Sequence, residues 1–156
     1  MTRYYRVGQE SGNHVLLTVE PGQTLEIQDD AGSQQVHVEL MLLGDARAVY
    51  KGSFIISAGT VKRTLTVQCA GAGSSATVAV SCLTSATATF SLQTQQRHSA
   101  SRSTSTVRIH GVSGQTSRVS VDSNIYIAER VGGVEARQVH RHLLLDEGAR
   151  ATSVPS

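Results

Sequence analysis

The sequence predicts an all-β fold, a parallel β-helix in which a single chain coils as a solenoid, and three observations favour it. Aromatic residues make up only 4% of the 156 residues and Trp is absent. A core of small, regularly stacked aliphatic side chains fits this composition better than a β-sandwich, whose centre usually needs bulky rings. Ser and Thr are abundant, and no Asn-Gly or Asp-Gly hairpin turn is present. A parallel ladder needs no tight hairpin, although periodicity alone would also allow a sandwich or a barrel.

Short β-type segments recur along the chain, separated by Gly- or Ser-rich breaks. The first predicted strand ends at Pro21-Gly22 and the second at a turn over 29–32. No segment predicts a helix, because the Ala-rich stretch 70–79 is interrupted by Gly71 and Gly73. In chain order the predicted strands are 14–19, 24–28, 36–43, 46–56, 64–69, 76–83, 86–95, 106–112, 118–127 and 134–146, and 148–155 begins another turn of the chain.

Period-two alternation in the middle of the chain is the clearest evidence for strands. Three segments place a set of apolar residues on one face: Leu65, Val67 and Cys69; Val78, Val80 and Cys82; and Ala86, Ala88, Phe90 and Leu92. Segment 118–127 continues the pattern with Val119 and Val121, and the pattern then predicts a break over 122–124. Alternation of this kind indicates strands with one buried face.

The charge distribution sets the main alternative function. A formal net charge of +2 is too small to imply a polyanionic partner. No acidic residue lies between Asp45 and Asp122, however, and a field of one sign could attract an anion. The basic residues of this stretch are Arg47, Lys51, Lys62, Arg63, Arg97, Arg102, Arg108 and Arg118. We favour scattered, solvated positions, and a stand-alone β-rich binding module for an anionic ligand is the alternative. No nucleic-acid partner is predicted, because no aromatic residues interleave with the basic ones.

Two cysteines give no disulfide framework, and the N-terminus lacks the apolar core of a signal peptide. No run approaches the roughly 20 apolar residues of a membrane helix. The sequence therefore predicts a cytoplasmic protein with reduced thiols and no membrane partner.

Cys69 and Cys82 are the weak candidates for cofactor binding. They are 13 residues apart, each at the end of an alternating strand, so they could lie on adjacent coils and face each other. We favour core packing, because free Cys is among the most buried residue types. Cluster chemistry uses thiolates, but no Cys-x-x-Cys motif is present. No cofactor is therefore expected to bind autonomously.

Four histidines are the weak candidates for a metal site. His140 and His142 are two residues apart and so share one face of a strand. With His98 or His110 on a neighbouring coil they could bind a divalent metal, and this would make an enzyme with a His-rich metal site a third hypothesis. We favour a solvent-facing polar ladder for the pair. No catalytic residue is predicted, because no nucleophile, base and orienting group can be recognised from spacing.

The C-terminal third carries a family resemblance. The stretch 135–146 combines an acidic-Ala-x-Gln step with Leu143-Leu144-Leu145, and Pro155 follows about ten residues later. Together with the Val61-Lys62-Arg63 step, His98 followed by Ser105, and segment 118–127, it resembles the core domain of SufB/SufD, the scaffold subunits of the SUF iron–sulfur cluster assembly machine. The likeness covers roughly 45–156 and looks closer to SufD. Ser123 stands where the family usually has Gly, and His140 and His142 stand where Asn is common.

The resemblance implies a right-handed parallel β-helix over a single domain, 1–156, and a partner. SufB and SufD pair through their β-helices, and a SufC ATPase binds a C-terminal helical region of each. The sequence ends before the family's Cys- and His-bearing segment and before that helical region, so we expect a truncated or stand-alone relative without direct SufC binding. The expected function is a non-catalytic scaffold component of iron–sulfur cluster biogenesis that associates with itself or with a SufB/SufD-type subunit. The resemblance also implies that an iron–sulfur cluster would be bound only in a complex.

Overall fold

The computed structural model describes residues 1–8, 13–30 and 34–156, and these residues form strands and turns without a helix. The strands are β1 (Thr2–Val7), β2 (His14–Val19), β3 (Thr24–Asp29), β4 (Gln35–Leu42), β5 (Arg47–Ile56), β6 (Thr60–Cys69), β7 (Ser75–Thr84), β8 (Thr89–His98), β9 (Thr104–Ser113), β10 (Arg118–Ile127), β11 (Glu135–Leu144) and β12 (Arg150–Pro155).

Successive strands go to opposite sheets, and each strand pairs in parallel with the strand two places away. One sheet, sheet A, has the order β1-β3-β5-β7-β9-β11, and the other, sheet B, has the order β12-β10-β8-β6-β4-β2. Thr2 pairs with Thr24 and Thr104 with Glu135, so one coil takes 22 residues at the N-terminal end and 31 near the C-terminal end. This arrangement confirms the predicted parallel β-solenoid.

The interior lies between the two sheets and changes character along the solenoid axis. In the first coils it is mainly aliphatic, apart from the buried Asp29, Tyr50 and Arg63, and the predicted inward rows of β6 and β7 are buried as expected. In the later coils hydroxyl, amide and imidazole groups enter the interior. The buried polar residues of this half are Thr84, Thr94, Gln96, His98, Ser103, Ser105, Ser113, Ser117 and Ser123. Several of them hydrogen-bond one another, as Thr84 Oγ1 and Ser113 Oγ of neighbouring coils do at 2.9 Å.

Three details differ from the sequence expectation. The strand expected over 86–95 begins at Thr89, because Ala86 has a left-handed φ of 52° in the preceding corner. The break expected over 122–124 is absent, since Ser123 turns inward, hydrogen-bonds Thr94 and keeps β10 in register with β8. Strand β1 was not expected, because residues 2–7 show no clear alternation. Residues 31 and 32 of the turn expected over 29–32 lie outside the described residues.

The corners on one side of the solenoid share a stacked, left-handed residue. Gly22, Asp45, Gly73 and Arg102 have positive φ values of 71°, 55°, 74° and 57°. Each donates its backbone N–H to a carbonyl of the next coil, as Asp45 does to Ala72 at 2.9 Å. The left-handed conformation turns these N–H groups along the solenoid axis, so the corners continue the backbone ladder of the sheets.

Candidate functional site

The two cysteines are buried, free and on different sheets. Cys69 ends β6 in sheet B, where its ladder neighbours are Leu42 and His98, whereas Cys82 lies in β7 of sheet A, between Phe54 and Gly111. They therefore do not stack on adjacent coils of one sheet. Burial raises the pKa of the Cys82 thiol to about 11 and also raises the pKa of Cys69. Both stay protonated near neutral pH, as the core-packing interpretation expects.

His98 is an interior residue held by two serines. Its Nδ1 lies 2.8 Å from Ser103 Oγ and its Nε2 lies 2.7 Å from Ser105 Oγ. Ser103 donates its own proton to the Ala100 carbonyl at 2.8 Å, so it accepts from His98 Nδ1–H. Burial lowers the pKa of His98. Both ring nitrogens of His98 are thus engaged by buried serine hydroxyls, and Ser105 also donates to Gln96 Oε1.

His140 and His142 share one face, as predicted, but that face is the inward one. Their ladder neighbours are the buried Ile109 and Gly111. The side chain of His142 reaches over Gly111, where an added Cβ would lie 2.7 Å from His142 Nδ1 and 3.2 Å from Cys82 Sγ. The pKa of each histidine is lowered, chiefly by burial. The prediction of a solvent-facing ladder for this pair is therefore wrong, because the two histidines align with inward-facing residues of β9.

The four candidate histidines do not come together. His110 lies on the outer face of sheet A, beside Ser81 and Arg141, while His98 is inside and on sheet B. Within the part of the chain that the structure describes, the one group of three potential metal ligands is His14, His37 and Glu39. Sequence reasoning missed it. The available signal was the two-residue spacing of His37 and Glu39, and His14 joins them only once the 23-residue offset of β2 and β4 is known.

The basic stretch does not form one surface. Arg63 is buried and is bonded to Asp29, which corrects its expected solvated position. The others are divided: Arg47, Lys51 and Arg108 lie on sheet A, Lys62, Arg97 and Arg118 on sheet B, and Arg102 in a corner. This division weakens the alternative of a module that holds an anion.

The last coil forms an open mouth of the solenoid. Gln138, His140 and His142 are the inward residues of β11, in the ladder positions of Val107, Ile109 and Gly111. Four side-chain nitrogens here are buried without a hydrogen-bond partner among the residues that the structure describes: Gln138 Nε2, His140 Nε2 and both ring nitrogens of His142. His140 Nδ1 contacts Ser153 Oγ of β12. These residues line an open cavity with Ser153 and Pro155.

An exposed apolar row runs across the outer face of sheet A and ends at this mouth. Ile55, Leu83, Val112 and Leu143 are successive ladder partners on β5, β7, β9 and β11. Ile55 is 79% exposed, Leu83 44% and Leu143 58%. Leu145, which follows β11, is also exposed, whereas Leu144 has the inward parity of His142. A contiguous apolar patch of this kind marks an interaction surface more often than isolated exposed residues do.

The fold and these surfaces define a parallel β-solenoid with an open polar mouth and an apolar outer row. The sequence also matches the family model described as SUF system FeS cluster assembly, SufBD core domain, over residues 23–156. The chain therefore belongs to the SufBD core domain family and takes part in SUF iron–sulfur cluster assembly. No curated protein and no solved structure matched the sequence. Among the described residues, no helix is long and apolar enough to cross a membrane.

Proposed function

We propose that this chain is a non-catalytic scaffold component of iron–sulfur cluster assembly that acts by association of its β-solenoid. The partner is a second copy of the chain or a SufB/SufD-type subunit, and the contact is made by the last coil. Family membership supports the assembly role.

The observation that carries the proposal is the mouth. Strands β11 and β12 are the edges of their sheets, with a strand on one side only among the described residues. Unpaired edge groups are a template for another strand. The buried nitrogens of Gln138, His140 and His142 need acceptors or donors that the described residues do not supply. A buried polar group without a hydrogen bond costs about 1–3 kcal/mol of stability. A docked coil would supply partners both for the backbone groups at the strand edges and for these side-chain nitrogens.

Several finer statements belong to this proposal. The closer likeness to SufD, the lack of direct SufC binding and the cytoplasmic location are predictions from the sequence and the family. So is the expectation that a cluster forms only in a complex. The protonated, separated thiols of Cys69 and Cys82 support that last expectation, because cluster ligands are thiolates.

The test is the molar mass of the purified chain at micromolar concentration, by size-exclusion chromatography with light scattering. We expect a mass of about twice 16.6 kDa, or a heterodimer when a SufB/SufD-type subunit is added. Leu143→Lys places a charge at the mouth and should abolish association. Leu16→Lys is the matched control, because Leu16 is 65% exposed but lies on β2 at the opposite end of sheet B.

Two results would overturn the proposal. One is a wild-type chain that stays a single 16.6 kDa species alone and with the SufB/SufD-type subunit. The other is association that Leu143→Lys leaves intact or that Leu16→Lys disrupts equally.

A further inference from the structure

We propose that His14, His37 and Glu39 form a binding site for a divalent first-row transition metal ion on the outer face of sheet B. The site lies on strands β2 and β4, at the other end of this sheet from β12, and it does not depend on the proposed association.

The parallel register places the three side chains together. His14 and His37 are direct ladder partners, and Glu39 lies two residues beyond His37 on the same face. Alternation along both strands buries Val15 and Val38 and turns these three side chains outward. The two imidazole rings stack with centroids 4.9 Å apart and planes within 11°. The backbone ladder therefore fixes the spacing of the two rings.

Both imidazoles lie near one carboxylate, and His37 Nε2 also lies 3.3 Å from Thr66 Oγ1. His14 Nε2 lies 2.8 Å from Glu39 Oε2, and His37 Nε2 lies 3.8 Å from Glu39 Oε1. One donor atom from each residue falls within 4.8 Å of the other two. Zinc binds His nitrogen and carboxylate oxygen at about 2.0–2.2 Å, so tetrahedral donors are roughly 3.4 Å apart. The group is wider than a loaded site, and the planes of the two rings are nearly parallel. The rings must therefore tilt towards each other for both Nε2 lone pairs, which lie in the ring planes, to reach one ion.

The donor set selects the class of metal. Two imidazoles and one carboxylate suit Zn²⁺, Fe²⁺, Co²⁺ and Ni²⁺, whereas Ca²⁺ and Mg²⁺ prefer oxygen ligands alone. Three protein ligands leave at least one position open. The site faces solvent and a shallow groove lined in part by Met41, Gln68 and Arg97, so water or an anionic group can complete the coordination.

The test uses Zn²⁺ alone, titrated by calorimetry into the chain near pH 7.5, with Co²⁺ absorption as a second readout. We expect one high-affinity ion per chain. His37→Ala and Glu39→Gln should each weaken binding by at least about 10-fold, the loss that even outer-shell partners of metal ligands cause. Circular dichroism should show unchanged folding, because all three side chains lie on the outer face of the sheet.

The matched control is His110→Ala, which removes an exposed histidine from the outer face of sheet A and should leave Zn²⁺ binding unchanged. Absence of stoichiometric Zn²⁺ binding would overturn the assignment. So would binding that survives His37→Ala and Glu39→Gln but disappears in a His140→Ala/His142→Ala double variant, since the ion would then occupy the mouth.

Discussion

At the scale of the residue, Arg63 differs most clearly from the sequence expectation, because it is buried and not solvated. Its Nε donates to Asp29 Oδ2 at 2.7 Å and its Nη2 to Asp29 Oδ1 at 3.2 Å. The Tyr50 hydroxyl donates to the same carboxylate at 2.5 Å, and the guanidinium lies 5.0 Å from the centre of the Phe54 ring. Three strands, β3, β5 and β6, are joined through one carboxylate.

Replacing Arg63 should therefore destabilise the protein strongly. Arg63→Met leaves Asp29 buried with only its remaining partners, and breaking a buried pair in this way costs about 3–5 kcal/mol. Urea unfolding followed by far-UV circular dichroism measures this loss. Arg97→Met, on the exposed face of the neighbouring strand β8, is the control and should change stability by less than about 0.5 kcal/mol. A similarly small loss in Arg63→Met would show that the ion pair does not stabilise the fold.

The sequence contained part of this information. Arg63 has the same parity as Leu65 and Val67 in β6, and Asp29 has the parity of Leu25 and Ile27 in β3. Parity predicts that each points inward, but the partners are 34 residues apart and meet only once the coil length is fixed. The same limitation hid His14, His37 and Glu39, whose strands could be predicted but whose register could not.

At the scale of the element, strands were predictable and corners were not. Period-two alternation placed the strands within a few residues, because one buried face is a local property of the sequence. The left-handed corner residues Asp45, Ala86, Arg102 and Gln115 carry no such signal. Their conformation is set by stacking on the next coil, so it depends on neighbours far along the chain.

Gly71 shows how closely the corners stack. A Cβ at this position would lie 2.0 Å from the backbone nitrogen of Gly44, in the corner of the preceding coil. Gly71→Ala should destabilise the chain by about 1–3 kcal/mol or more, as overpacking does, measured as a lower thermal midpoint. Gly132→Ala is the matched control, since an added Cβ there meets nothing within 4 Å. Equal midpoints for the two variants would contradict this close approach.

At the scale of the whole molecule, the polar interior should make stability depend on pH. Burial lowers the pKa of His98, His140 and His142 below the ordinary value of 6.5. The unfolded chain then binds more protons than the folded chain below about pH 6.5. The free energy of unfolding therefore includes the full contribution of these neutral histidines above that pH. The contribution is lost as the pH falls from about 6.5 through the pKa values of the folded state.

Urea unfolding at pH 7.5, 6.0 and 5.0 tests this dependence. We expect the free energy of unfolding to fall towards pH 5, and the fall should be smaller in His98→Gln, which lacks one of the three groups. His110→Gln should keep the wild-type dependence, because that histidine is exposed. An identical slope in His98→Gln and in the wild type would mean that His98 does not contribute.

The overall architecture could be predicted because it rests on composition and alternation, which act along the entire chain. The widening of the coils could not be predicted, and it has a geometric consequence. Sheet A strands lengthen from six residues in β1 and β3 to ten in β5 through β11, which at about 3.3 Å per residue is roughly 20 Å against 33 Å. Sheet A is therefore tapered, with a narrow rim at β1 and a broad rim at β11. Two broad rims match in size, whereas a broad rim overhangs a narrow one. For the association proposed above, matching rims would favour a closed, two-fold symmetric pair over head-to-tail fibres.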